Sequence, residues 1–248
     1  GTVQESPFLP ETHSTMKSAA DLLLEHQKTP RHYWASLGYI ELFDEARKRL
    51  LEAHPGADLC KLVVDPDARR TGPDPTHGRW GNSRVRRIKA QHLIIKGKAD
   101  CSNFEHDFQM EMPDCLKRFY SKIQQATLVL DGFIDITSPN GIVDLENMFR
   151  RFGRPCKEYS LLRFISFPEQ SAQLALRRWK SDGVWRVVLA YDDVDTYELQ
   201  ENDAIFEENQ PMETFDEWMA RMLATNGSPV IPGTYSHSII KDWVEQIK

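Results

Sequence analysis

The stretch ATLVLDGF, Ala126 to Phe133, decides the fold class. It is a β-rich apolar run closed by a turn pair, long enough for one buried strand and too short for a buried helix. Working outward, Ser138-Pro139-Asn140 supplies a helix start. Val143, Leu145, Met148, Phe149 and Phe152 then form a helical apolar stripe that closes at Gly153. A strand pair fits Pro155 to Phe167. Pro168 and Glu169 open a second helix, with Ala172, Leu174, Ala175 and Leu176 near one face and an end near Trp179. After Asp182-Gly183, VWRVVLAY (Val184 to Tyr191) reads as a strand. The resulting order, β-α-β-β-α-β in about 66 residues, is the split βαβ pattern of a ferredoxin-type sandwich, so the expected fold class is α+β.

On the N-terminal side, helices are expected over Ser14–Gln27 and Ser36–His54, the second with a broad apolar face ended by Pro55-Gly56. Leu59–Val64 reads as a short buried strand and Asp65–Asn82, rich in Gly and Pro, as a loop. His92–Lys98 and Phe104–Met112 read as strands, and Pro113–Gln125 as a helix. On the C-terminal side, Thr214-Phe215-Asp216-Glu217 is a capping-box start for a helix through Leu223, stopped at Asn226-Gly227. A last helix is expected over Ser236–Ile247. The chain thus divides into a helical region 1–64, a basic loop and mixed α/β region 65–123, the β-α-β-β-α-β unit 124–193, and an acidic segment with helices 194–248 that pack on the core.

Residues 124–193 resemble an RNA recognition motif (RRM) domain. LVLDGF at Leu128–Phe133 and SLLRFISF at Ser160–Phe167 stand where that family carries its two short motifs, and MFRRFG (Met148–Gly153) and FPEQSAQLAL (Phe167–Leu176) are also similar to it. The resemblance implies RNA binding by aromatic side chains on the two central strands, which stack exposed bases. Here the first motif has Val129 at its aromatic position and the second has Leu162 and Phe164, so only Phe164 is retained. A one-residue slip would turn Arg163 outward and Phe164 inward, because strand side chains alternate. A sheet that has lost its aromatics implies a protein-binding surface, with Val129, Leu162 and Phe164 as the partner-binding patch. If the chain's own C-terminal helices cover those three residues, function moves to the basic segment.

That segment emerges only when charge is read locally. The 248 residues carry 31 Lys and Arg against 37 Asp and Glu, a net charge of −6 that argues against a protein held to nucleic acid by bulk attraction. Arg69 to Lys98, however, holds nine basic residues and one acid, whereas Asp192 to Glu217 holds eleven acids and no Lys or Arg. Within RWGNSRVRRIK, residues 79–89, the candidate phosphate and base contacts are Trp80, Arg84, Arg86, Arg87 and Lys89. The rival for these charges is internal: the acidic segment could satisfy the basic one.

The remaining constellations point away from catalysis. Cys60, Cys101, Cys115 and Cys156 form no Cys-x-x-Cys and read as reduced thiols; the eight histidines form no metal signature, and no phosphate-binding glycine loop occurs. Asp131 and the group Asp192, Asp193 and Asp195 follow apolar strands, where a metal-dependent nuclease or nucleotide-sugar transferase holds Mg2+; this is the alternative. No apolar run approaches the roughly 20 residues that span a bilayer. The expectation is a non-catalytic interaction module of RNA metabolism or gene regulation, nuclear or cytoplasmic. It binds a protein partner, RNA through residues 79–98, or both, and needs no cofactor, no metal and no membrane.

Overall fold

Hydrophobic runs too short for helices organise the fold around antiparallel strands. The computed structural model describes residues 16–26, 31–36, 44–45, 48–49, 51–55, 63–69, 85–130, 133–145, 161–166, 173–179, 182–190 and 213–227. It is an α+β structure. Strands β1 (Arg31–Ser36), β2 (Val63–Arg69) and β3 (Val85–Ala90) form a three-stranded sheet in the order β1-β3-β2. The larger sheet has seven strands: β4 (Leu93–Lys96), β5 (Ile123–Val129), β6 (Phe133–Ile136), β7 (Val143–Asp144), β8 (Leu161–Ser166), β9 (Gln173–Arg178) and β10 (Trp185–Ala190). Six of them run in the order β10-β9-β8-β6-β5-β4, with β7 paired to β8, and every pairing is antiparallel. Because β4 pairs with β5, this sheet extends on the N-terminal side of residue 124.

The helices whose two ends are both described are α1 (Ala19–His26), α2 (Phe104–Phe108), α3 (Asp114–Tyr120) and α4 (Phe215–Ala224). Apolar side chains of α1, α3 and α4 share one core with the large sheet, built around Leu23, Phe119, Leu128, Phe164, Phe215 and Trp218. The Phe215 ring sits 5.4 Å from Phe119 and 5.0 Å from Phe164, both edge-on, so α4 ties α3 to β8 through a single residue. The expected capping box is present: Thr214 Oγ1 accepts from the Glu217 amide, and the Thr214 amide donates to the Glu217 carboxylate at 2.8 Å. The helix stops at Asn226 and Gly227, both at positive φ.

Two expected elements take the other form. Gln173–Arg178 is a strand rather than a helix, paired with β8 on one side and β10 on the other. Leu174 and Leu176, two residues apart, enter the core, and ladder pairing on both edges overrides the helix propensity of Gln, Leu, Ala and Arg. With a strand there, the β-α-β-β-α-β order loses its second helix. Conversely, Phe104–Phe108 is a short helix rather than part of a strand. Four residues' separation satisfies both periods, and the Phe104 and Phe108 rings meet at 4.5 Å across one helical turn. Gln109, at φ 52°, ends it.

Smaller shifts have similar causes. The Pro113 helix ends at Tyr120, and β5 begins three residues later, earlier than the apolar run suggests. Strand β2 begins in the stretch read as a strand and runs on through Arg69 into the stretch read as a loop; its Pro66 is tolerated because β2 is an edge strand with an irregular register between Val64 and Arg69. Pro139–Gly141 is a single 3-10 turn, Val143 and Asp144 pair as β7, and a helix begins at Leu145. Residues 44–45, 48–49 and 51–53 are helical, within the helix expected over Ser36–His54. The expected helix at Ser236–Ile247 and the acidic residues 192–212 lie outside the described residues.

Candidate nucleic-acid interface

The basic stretch becomes a strand, and its neighbours decide what it can do. Val85–Ala90 (VRRIKA) is the central strand of the small sheet. Its register with β1 sets Trp34 opposite Arg87, His32 opposite Lys89 and Ala35 opposite Arg86. On the other edge, β2 sets Arg69 opposite Arg86 and Val63 opposite Lys89. Backbone alternation then puts His32, Trp34, Val63, Arg87 and Lys89 on one face. Arg69 and Arg86 fall on the other, in line with Tyr33, Val64 and Ile88. The three strands carry Arg31, Arg69, Arg86, Arg87 and Lys89 against Asp65 and Asp67. A tryptophan in register with an arginine, with a lysine two positions along the same strand, supplies the residue types that single-stranded nucleic-acid binding uses: charge for phosphates and a π-face for a base.

Of the five expected contacts, Arg86, Arg87 and Lys89 share β3, whereas Trp80 and Arg84 lie outside the described residues. The sequence reading missed Arg31, His32, Trp34 and Arg69. Tyr33-Trp34 is a strand-forming pair, but their partners are more than fifty residues away, and only the register brings them together.

The expected partner patch has a different fate. Val129, Leu162 and Phe164 are each 0% exposed. Leu162 and Phe164 belong to the core that contains α4, while Val129 is buried apart from that cluster. Phe164 points inward and Arg163 is half-buried, the slipped register of the two weighed. The chain's own helix therefore closes the face around Phe164, and the three residues do not form one surface.

A second concave feature, a cleft of about 500 Å³, lies between the residues preceding α3, the β9–β10 hairpin and the start of α4. Asp216, Arg118 and Arg178 in its lining hold the fold. Asp216 accepts from the Ala19 amide at 2.7 Å and from Arg118 Nη2 at 2.6 Å; Arg178 Nε donates to the Gly183 carbonyl at 3.1 Å. Burial, with the Asp216 charge nearby, pushes the Cys115 thiol up to about 12, so it remains protonated and poorly nucleophilic at neutral pH. Asp182, in the hairpin turn, is held down at about 2 by Arg186 and the Val184 amide. Cys101 and Cys115 are free thiols.

Among the described residues no group of three or more His, Cys, Asp or Glu side chains is placed to hold a metal. The aspartates of the metal alternative, Asp131, Asp192, Asp193 and Asp195, lie outside them, as do Cys60 and Cys156. No helix among the described residues is long and apolar enough to cross a membrane. No family model, curated protein or solved structure matches the chain.

Proposed function

We propose that the chain is a non-catalytic RNA-binding module whose contact surface is the β1-β3-β2 sheet. The observation that carries this is the register pairing Trp34 with Arg87 and His32 with Lys89. It concentrates positive charge around an aromatic in a chain whose net charge is −6. Arg87 and Lys89 neutralise phosphates, and Trp34 offers a base-stacking platform. The resemblance of Leu128–Phe133 and Ser160–Phe167 to RRM proteins supports RNA as the nucleic acid and nucleus or cytoplasm as the setting, although β9 departs from that family's second helix. Burial of Phe164 against Phe215 of α4, and of Leu162 in the same core, weighs against a protein partner on that face.

The test is binding of a labelled single-stranded RNA oligonucleotide at a series of salt concentrations. Each phosphate contact contributes about 0.7 to the log–log salt slope, so Arg87→Ala with Lys89→Ala should flatten it by about 1.4. Trp34→Ala should weaken binding by about 1–3 kcal/mol with little change of slope. Binding that is indifferent to salt and to all three substitutions refutes the proposal.

A further inference from the structure

The histidine pair His26 and His92, sixty-six residues apart in sequence, joins the last residue of α1 to the start of β4. His26 Nδ1 and His92 Nε2 are 2.9 Å apart. The ring centroids are 5.1 Å apart and the planes 27° from parallel. That centroid distance nearly equals the bond plus one ring radius at each end, so the bond runs along the lone-pair axes rather than between stacked faces. His92 is buried, and its Nδ1 accepts from the Val129 amide at 3.0 Å.

These contacts fix the protons. His92 Nδ1 accepts, so it bears no hydrogen, and the neutral ring is protonated at Nε2. Nε2–H donates to His26 Nδ1, which therefore bears none, and His26 carries its hydrogen on Nε2. A further proton on His26 sets N–H against N–H across 2.9 Å. One on His92 sets N–H against the Val129 N–H. Either imidazolium breaks a bond, and in His92 it also places a charge in the interior.

We infer that His26 and His92 form a proton-operated clip that docks the C-terminal end of α1 at neutral pH and releases it in acid. Its partner at the other end of α1 is Asp216, which holds the Ala19 amide. Most charged groups on the described elements packed around the clip bond other partners. Lys17 bonds Glu25, and Lys122 bonds Asp21. On α3 and α4, Arg118 bonds Asp216 and Arg221 bonds Glu213, while Lys117 bonds Glu111 and Glu217 closes the Thr214 cap. In the sheet, β4 brings Lys96, β5 brings no charge, and Asp135 of β6 accepts from Thr127. The C-terminal carbonyls of α1 favour a cation at His26 and so partly offset the penalty in the docked state, but they do not restore the lost bond.

The sign follows from proton counting. The released state takes up protons that the docked state cannot, so docking is complete above the ordinary imidazole range and is lost as pH falls through it. The experiment is amide hydrogen exchange of the intact chain between pH 7.5 and 5, corrected for intrinsic rates. It is paired with imidazole 15N spectra that read the tautomers directly. The amides of Leu23–His26 should lose protection below about pH 6, by about tenfold per pH unit for each of the two imidazoles protonated on release, while those of β8 hold theirs. His26→Phe should leave α1 equally exposed at both pH values. A His92 ring protonated at Nδ1 at pH 7.5, or α1 protection that does not change with pH, overturns the inference; the spectra decide this on the unsubstituted chain even if the variant fails to fold.

Discussion

Replacing Asp216 by alanine tests the joint on which three helices converge. Asp216 stands in the first turn of α4 and is only 7% exposed; one oxygen accepts from the Ala19 amide of α1 at 2.7 Å and the other from Arg118 of α3 at 2.6 Å. The carboxylate therefore serves two helix N-termini, where backbone amides lack partners and negative charge is favoured. Loss of the side chain strands the Ala19 N–H, a buried donor whose abandonment costs about 1–3 kcal/mol. The ion pair adds less, because the Arg118 side chain is 53% exposed: about 0–1 kcal/mol. Asp216 also lines the cleft, so water can reach the vacated position and pull the first figure towards its lower end. The expected loss for Asp216→Ala is about 1–2 kcal/mol. Asp216→Asn keeps an acceptor for Ala19 and should cost only about 1 kcal/mol. The assay is urea unfolding at pH 7, with an unchanged m-value showing that the same surface is exposed. Asn and Ala costing the same would refute the backbone-acceptor argument. A double-mutant cycle with Arg118→Ala giving more than about 1 kcal/mol would refute the weight assigned to the ion pair.

Other outcomes follow from single sites. Burial raises the Asp135 carboxyl above its ordinary value, with the Thr127 hydroxyl only partly opposing it. The folded state thus binds more protons than the unfolded one, and ionising Asp135 weakens the fold as pH rises. Asp135→Asn should raise the urea midpoint at pH 7, with the gain vanishing below pH 3.8. A gain that persists at pH 3 would show that charge is not the cause. Cys115, with its thiol up at about 12, should resist iodoacetamide at pH 8 in the native protein and react once urea unfolds it, as read by mass spectrometry of the digested chain. Gly183 turns the β9–β10 hairpin at φ +72°, and a Cβ there meets Arg178 Nη2 at 3.3 Å. Gly183→Ala should cost about 1–2 kcal/mol in the same unfolding assay, mostly from the backbone because the guanidinium can move aside.

Legibility followed the range of the forces involved. The α4 cap, the strand at Trp185–Ala190 and the turn at Asp182-Gly183 depend on neighbours within a few residues, and each is readable from the chain. Gln173–Arg178 is not, because its preference for helix is a few tenths of a kcal/mol per residue and two flanking strands overrule it. Phe104 and Phe108 fit either period, and nothing local separates the two. At the candidate interface, the basic character of β3 is evident in residues 85–90, while the aromatic in register with it, Trp34, comes from β1.

By itself, then, the sequence determined composition, the local caps and turns, the apolar runs able to become strands, and the separation of basic from acidic segments. These are properties of residues and their near neighbours. The tertiary structure alone decided that the described strand pairs run antiparallel, that Leu162 and Phe164 are core, that Trp34 lies in register with Arg87, and that His26 meets His92. Each of these is a pairing between distant segments. Its free energy exists only once chain entropy has been overcome by the burial that brings the partners together.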